Sequence, residues 1–113
     1  YTLVAILGTW NRRSAELVTL INPYIPEFKK RGIQVFGVFS HDTKKALMDW
    51  RKVTGANFSV GLAPVQLIDK LQNPRVPTFW LANNLGNTLF YSELPKDEEI
   101  SDVLEKLLLW TNF

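Results

Sequence analysis

The 113-residue sequence contains no cysteine, one histidine and one methionine. Without cysteine the chain has no disulfide framework, no thiolate metal ligand and no thiol nucleophile. That absence says nothing of compartment by itself. The single histidine, His41, with its neighbour Asp42 supplies too few ligands for a metal site, so a polar loop is expected there and no metal or cofactor. Charge of one sign is also scarce. Thirteen Lys and Arg against eleven Asp and Glu leave a formal charge of +2, and the basic residues are scattered among acidic ones. A nucleic-acid partner calls for cations gathered on a face or in a run and is not expected. No apolar run reaches the roughly 20 residues that span a bilayer.

What is present is an ordinary globular composition, 46% hydrophobic and 21% charged, in a chain long enough for one core without staples. Residues 1–113 are expected to form a single domain. The chain begins on Tyr1, directly in an apolar run and without an initiator Met, and is expected to be a piece of a longer protein. Thr2 to Leu7 is a continuous β-branched apolar stretch, suited to a central strand buried on both faces. Gly8-Thr9-Trp10-Asn11 interrupts it. A helix is then predicted from about Arg12 to Arg31, kinked or broken by Pro23 and Pro26, with Gly32 past its end. Ile33 to Phe39 is a second strand, so the first third reads as a parallel βαβ unit. Asp42 or Thr43 caps a second helix through about Val53. Phe58 to Leu62 is a short extended piece, and Pro64 opens a short helix ending near Leu71. Val76 to Leu81 and Asn87 to Tyr91 flank a turn-forming Asn83-Asn84-Leu85-Gly86, the pattern of an antiparallel hairpin. Asp97 is the expected N-cap of a last helix with Ile100, Val103, Leu104, Leu107 and Leu108 on its apolar stripe.

Three stretches, in this order, resemble the thioredoxin superfamily. They are most similar to its thiol-disulfide oxidoreductase and alkyl-hydroperoxide-reductase-like branch. Gly8-Thr9-Trp10-Asn11-Arg12-Arg13-Ser14-Ala15-Glu16-Leu17 resembles the family's Ala-Thr-Trp-Cys-x-x-Cys-x-x-Glu-Leu, and departs from it by one residue fewer before Glu-Leu. Lys29-Lys30-Arg31-Gly32 followed by Ile33 to Val38 is similar to its Lys-x-x-Gly and second strand. Arg75-Val76-Pro77-Thr78-Phe79-Trp80-Leu81 with Asn84 to Asn87 resembles its Val-Pro-Thr strand and hairpin. The resemblance implies an α/β, thioredoxin-like fold: a central mixed sheet, a parallel βαβ half plus an antiparallel β-hairpin, with helices on both faces. It places Asn11 and Ser14 where the two cysteines would stand, and Pro77 at the family's cis-proline. It also implies an extracytoplasmic location, in a bacterial periplasm or cell envelope.

The residues themselves are read more plainly. Asn11 is a good helix N-cap, and Ser14 is a first-turn serine with no base placed beside it, so no catalytic residue is expected. Trp50, Trp80 and Trp110 read as core or half-buried anchors, while the resemblance places Trp10 at the rim of the site. Arg12 and Arg13 oppose the helix dipole. With Arg75 they either form one electropositive patch beside Trp10 or are three solvated arginines. The first expectation for function is a redox-inactive module, not an enzyme. It would bind a protein or extended peptide, including an acidic one, through Trp10, Arg12, Arg13, Arg75, Val76, Pro77 and Thr78. Two alternatives stay open. One is an oxidoreductase-like protein whose thiols are replaced here or lie outside these residues. The other is an anion or small-ligand binder at the arginines.

Overall fold

A computed structural model describes residues 1–111. Five strands form one mixed sheet: β1 (Thr2–Leu7), β2 (Gln34–Phe39), β3 (Ser59–Leu62), β4 (Thr78–Ala82) and β5 (Thr88–Glu93). Their spatial order is β3-β2-β1-β4-β5. β1 pairs in parallel with β2, and β2 with β3, while β4 lies antiparallel to both β1 and β5. This is the parallel half plus hairpin expected from the sequence.

The long first helix is broken in three. α1 (Arg12–Ile21) gives way to a 3-10 turn (Asn22–Tyr24) and then to α2 (Ile25–Lys30). Pro23 and Pro26 each lack the N–H that an unbroken helix would need, so the break falls where they stand. Gly32, at φ +72°, lets the chain turn out of α2. α3 (Lys44–Thr54) is capped by Thr43, whose hydroxyl accepts from the Ala46 N–H at 3.2 Å. α4 is Val65–Lys70, and Pro64 precedes it as the cap residue rather than lying in its first turn. In α5 (Asp97–Trp110) the cap residue is Lys96, not Asp97. The Glu99 carboxylate accepts from the Lys96 N–H at 3.1 Å, and Asp97 turns instead to Arg13.

Period-two alternation divides the sheet between two layers. Leu3, Ala5 and Leu7 of β1, Val35 and Phe39 of β2, and Phe79 and Leu81 of β4 enter one core. They meet Leu17, Val18 and Ile21 of α1, Phe28 of α2, Trp50 of α3 and Ile100, Leu104 and Leu107 of α5. Ile6 points to the opposite face; it is fully buried there, and Ile68 of α4 is buried outside the main core as well. Further along that second face, the paired residues Phe36, Val4, Trp80 and Tyr91 form a row across four strands that is half-buried to exposed. Partial burial and the nearby Glu93 raise the Tyr91 phenol pKa, against a smaller opposing effect of Thr78.

Besides the Arg13–Asp97 pair, Arg31 and Tyr24 fasten α5 to the broken first helix. Arg31 donates to the Leu108 carbonyl at the end of α5 and pairs with Glu27 at 3.0 Å. The Tyr24 hydroxyl donates to the Glu105 carboxylate at 2.6 Å. That bond, with some burial, raises the Tyr24 pKa. Folding therefore favours the protonated phenol. Its contribution is complete below the unfolded phenol's pKa of about 10 and is lost as pH rises through the higher folded value. Tyr24→Phe is expected to lower stability by less than about 1 kcal/mol at neutral pH, because the pair is solvent-screened. Urea unfolding of both proteins should show the gap closing once the pH passes the folded pKa.

Candidate functional site

The loop that leaves β1 meets the loop that enters β4 at the N-terminus of α1. Asn11 is the cap of α1, in extended conformation at φ −113° and ψ 117°. Its Oδ1 accepts from the Ser14 N–H at 2.9 Å and from the Ser14 hydroxyl at 3.3 Å. The Ser14 oxygen in turn accepts from the Gly8 N–H at 3.1 Å. Ser14 is fully buried, so its hydroxyl is committed to structure and reaches no substrate. Asn11 and Ser14 thus touch side chain to side chain across one helical turn, despite the shortened spacing to Glu16-Leu17.

The other end of the Asn11 amide spans the two loops. Nδ2 donates to the Val76 carbonyl at 3.3 Å. The Val76–Pro77 peptide bond is cis. Each carbonyl of this loop has a donor: Arg75 O accepts from the Thr78 hydroxyl, Val76 O from Asn11, and Pro77 O from the Leu94 N–H at 2.8 Å. The Arg75 N–H reaches the Glu93 carboxylate at 3.2 Å. The Val76 N–H has no hydrogen-bond partner among the described residues. It is the one free backbone donor of the loop, in a half-buried residue. Pro77 and Thr78 are buried. Thr78 holds the loop from within and presents no side chain to a groove, contrary to its expected place on the binding surface.

Trp10 lies at the rim, 59% exposed. Its indole N–H donates to the Ser40 carbonyl at 3.3 Å, at the end of β2. The ring rests over Gly8, where a Cβ would come within 2.6–2.8 Å of indole atoms. Beside it the Asp42 carboxylate accepts both the Thr9 N–H, at 2.8 Å, and the Thr9 hydroxyl. Asp42 is therefore a clamp between loops and leaves helix capping to Thr43. Gly8→Ala is expected to push the indole off this seat and break its bond to Ser40. The ring is the free end of an exposed side chain, so the stability cost should stay below about 1 kcal/mol. The Trp10 indole N–H resonance should shift far more than those of Trp50, Trp80 and Trp110.

The three arginines do not act alike. Arg13 pairs with Glu16 at 2.9 Å, with Asp97, and with the Pro95 carbonyl at 3.1 Å. Partial burial lowers its pKa, but the bonds to Glu16 and Asp97 outweigh this and raise it. Its charge is answered within the fold, which removes it from the expected patch. Arg12 and Arg75 are exposed and form no ion pair with a described residue. Each is the chain neighbour of one partner in the Asn11–Val76 bond. Among the described residues no group of three or more His, Cys, Asp and Glu could hold a metal ion, and no helix is long and apolar enough to cross a membrane. His41 is exposed, at φ +54°, and makes no hydrogen bond to Ser14.

No protein-family model matches the chain, and no curated protein matches it. Solved structures do. A thiol:disulfide interchange protein from Bacteroides sp. superposes with a TM-score of 0.82 at 14% identity, over 100% of this chain and 74% of that one. A thioredoxin-family thiol:disulfide interchange protein from Chlorobium tepidum gives 0.78 at 16% identity, over 95% and 79%. A secreted disulfide oxidoreductase from Mycobacterium tuberculosis gives 0.77 at 12% identity, over 93% and 80%. Identities this low establish architecture and no more. The chain has the thioredoxin-like fold of thiol:disulfide interchange proteins and contains no cysteine.

Proposed function

We propose that this domain is a redox-inactive binding module that holds an extended peptide or protein segment at the start of α1 and the Val76–Pro77 loop. The observation that carries this reading is the free Val76 N–H, in the loop that Asn11 ties to the chain neighbour of the exposed Trp10. An extended segment would place a backbone carbonyl on that N–H and an apolar side chain on the indole. Arg12 and Arg75 flank the same point and favour a segment with acidic residues. Disulfide exchange needs a thiolate, and here the chain offers only a bound amide and a buried hydroxyl. An extracytoplasmic location accords with this reading, since one structural neighbour is a secreted protein.

An array of extended peptides screened against the wild-type protein and against Trp10→Ala tests the proposal. Retained peptides should be acidic and should lose at least about tenfold in affinity with Trp10→Ala, in line with loss of an aromatic anchor. Arg12→Glu should weaken the same peptides. Equal binding by wild type and Trp10→Ala would count against the groove.

The structural neighbours favour a second reading, in which the longer protein has a thiol-disulfide function and its thiol lies outside residues 1–113. Insulin reduction by that longer protein, persisting when this domain is excised, would support it.

A further inference from the structure

Away from the helix-start groove, the sheet has an edge strand without charge, proline or bulge. β3 is the last strand on that side. Edges are ordinarily blunted by charge, by proline or by a bulge. The opposite edge, β5, ends on Glu93 and pairs with β4 through a register shift at Leu81/Ala82. β3 reads Ser-Val-Gly-Leu; it is short, at four residues, but carries no charge, proline or bulge. The Ala63 N–H donates inward to the Phe39 carbonyl at 2.9 Å. Backbone groups alternate along a strand, so the Leu62 and Val60 N–H groups face outward. A Cβ on Gly61 would meet nothing within 4 Å, so the face of β3 turned away from α3 is open.

The surface beside this edge is apolar below and basic at the rim. Between α3 and β3 lies a cleft of about 370 Å³ whose lining includes Leu47, Met48, Val60 and Leu62, with Lys44 and Arg51. Arg51 also borders two neighbouring clefts, one of about 480 Å³ with Lys29 and one of about 370 Å³ with Lys52. No Asp or Glu lines any of the three. None of these four cations forms an ion pair with a described residue. Met48 is 54% and Leu62 44% exposed. Open backbone, apolar floor and unanswered positive charge coincide on one element.

We propose that the outer edge of β3, with its basic groove, takes up an extended acidic segment of a partner protein as a sixth strand. Main-chain bonds to the outward groups of Val60 and Leu62 supply the pairing. Alternate apolar residues of the partner settle between α3 and β3, and its carboxylates meet Arg51 and Lys44. This surface is separate from the groove at Trp10, and the two stand or fall independently.

The test uses a labelled peptide of about ten residues, long enough for one strand, alternating Glu and Val, read by fluorescence anisotropy. A Lys/Val peptide and a Glu/Pro peptide serve as controls. The Glu/Val peptide should bind and both controls should fail. Arg51→Glu should weaken binding by about tenfold or more. Leu62→Pro removes one outward donor while leaving the inward ladder intact, and should weaken it comparably. If that variant unfolds, Arg51→Glu and the Glu/Pro control still decide. Equal binding of the Glu/Pro peptide would reduce the effect to charge alone and overturn strand addition. Unchanged affinity in Arg51→Glu would overturn the proposal outright. So would a wild-type dimer that Leu62→Pro dissociates, because the edge would then belong to a second copy.

Discussion

Asn11→Cys/Ser14→Cys is expected to turn a domain without thiols into a dithiol that oxidises to an intramolecular disulfide and reduces insulin. The two side chains already meet at 3.3 Å across the first turn of α1. Position 11 is the helix cap, where unpaired N–H groups and the dipole favour a thiolate and should bring its pKa below the ordinary value of about 8.5. Position 14 is fully buried, which shields the second sulfur and suits it to the resolving role. In the reaction, the thiolate at position 11 attacks a sulfur of the insulin disulfide and expels the other as a thiolate. The thiol at position 14 then displaces the mixed disulfide, releasing reduced insulin and leaving the domain oxidised. A dithiol reductant in the assay resets it. Mass spectrometry should show the loss of two hydrogen atoms on oxidation, and insulin should precipitate faster with the double variant than with the reductant alone. The wild type sets the baseline at no turnover. A double variant that stays reduced under mild oxidant would show that the cap geometry does not fit a disulfide.

Phe79→Ala should have the largest effect on stability, about 3–5 kcal/mol. The ring is fully buried and packs edge-on against Phe90 at a centroid distance of 6.3 Å. It sits in β4 between Ala5 of the central strand β1 and Ser92 of the edge strand β5. Removing it opens a cavity under the strand that continues from Pro77 and Thr78, so the Val76–Pro77 loop loses its floor. Domains of this size are held by only about 5–15 kcal/mol, so the loss is a large share of the whole. The urea midpoint should fall with little change in slope. Hydrogen exchange at Leu94, whose N–H holds the Pro77 carbonyl, should accelerate more than exchange in α3. A midpoint within experimental scatter of wild type would mean that the core re-closes around the vacancy.

The fold was legible because its signals are local and repeated. Apolar runs marked β1 and β2, Asn83 to Gly86 marked the hairpin, and the stripe from Ile100 to Leu107 marked α5. Pro23 and Pro26 foretold the break between α1 and α2. The errors have a common source in contacts between residues far apart in sequence. Asp97 is a better cap by type than Lys96, but Arg13, on another helix, draws it away. Arg13 opposed the α1 dipole when read alone, and its partners at Pro95 and Asp97 lie in the last part of the chain. Arg31 was matched to the end of its own helix and in the structure also closes the end of α5. The Asn11–Val76 bond has no periodicity or spacing that could announce it; only the resemblance suggested that the two loops face each other. The free edge of β3 was unreadable for a related reason, since strand order is a property of the whole sheet.

The Asn11–Ser14 contact has one further consequence. A protein with two thiols there would change its surface with the glutathione balance around it, because the oxidised and reduced forms differ in charge and in shape. Amide and hydroxyl have no such second state. The bonds from Asn11 to Ser14 and Val76 would be the same in a reducing cytoplasm, an oxidising envelope or medium carrying peroxide. A segment bound as proposed would meet one unvarying surface, and its binding constant should be indifferent to added dithiothreitol.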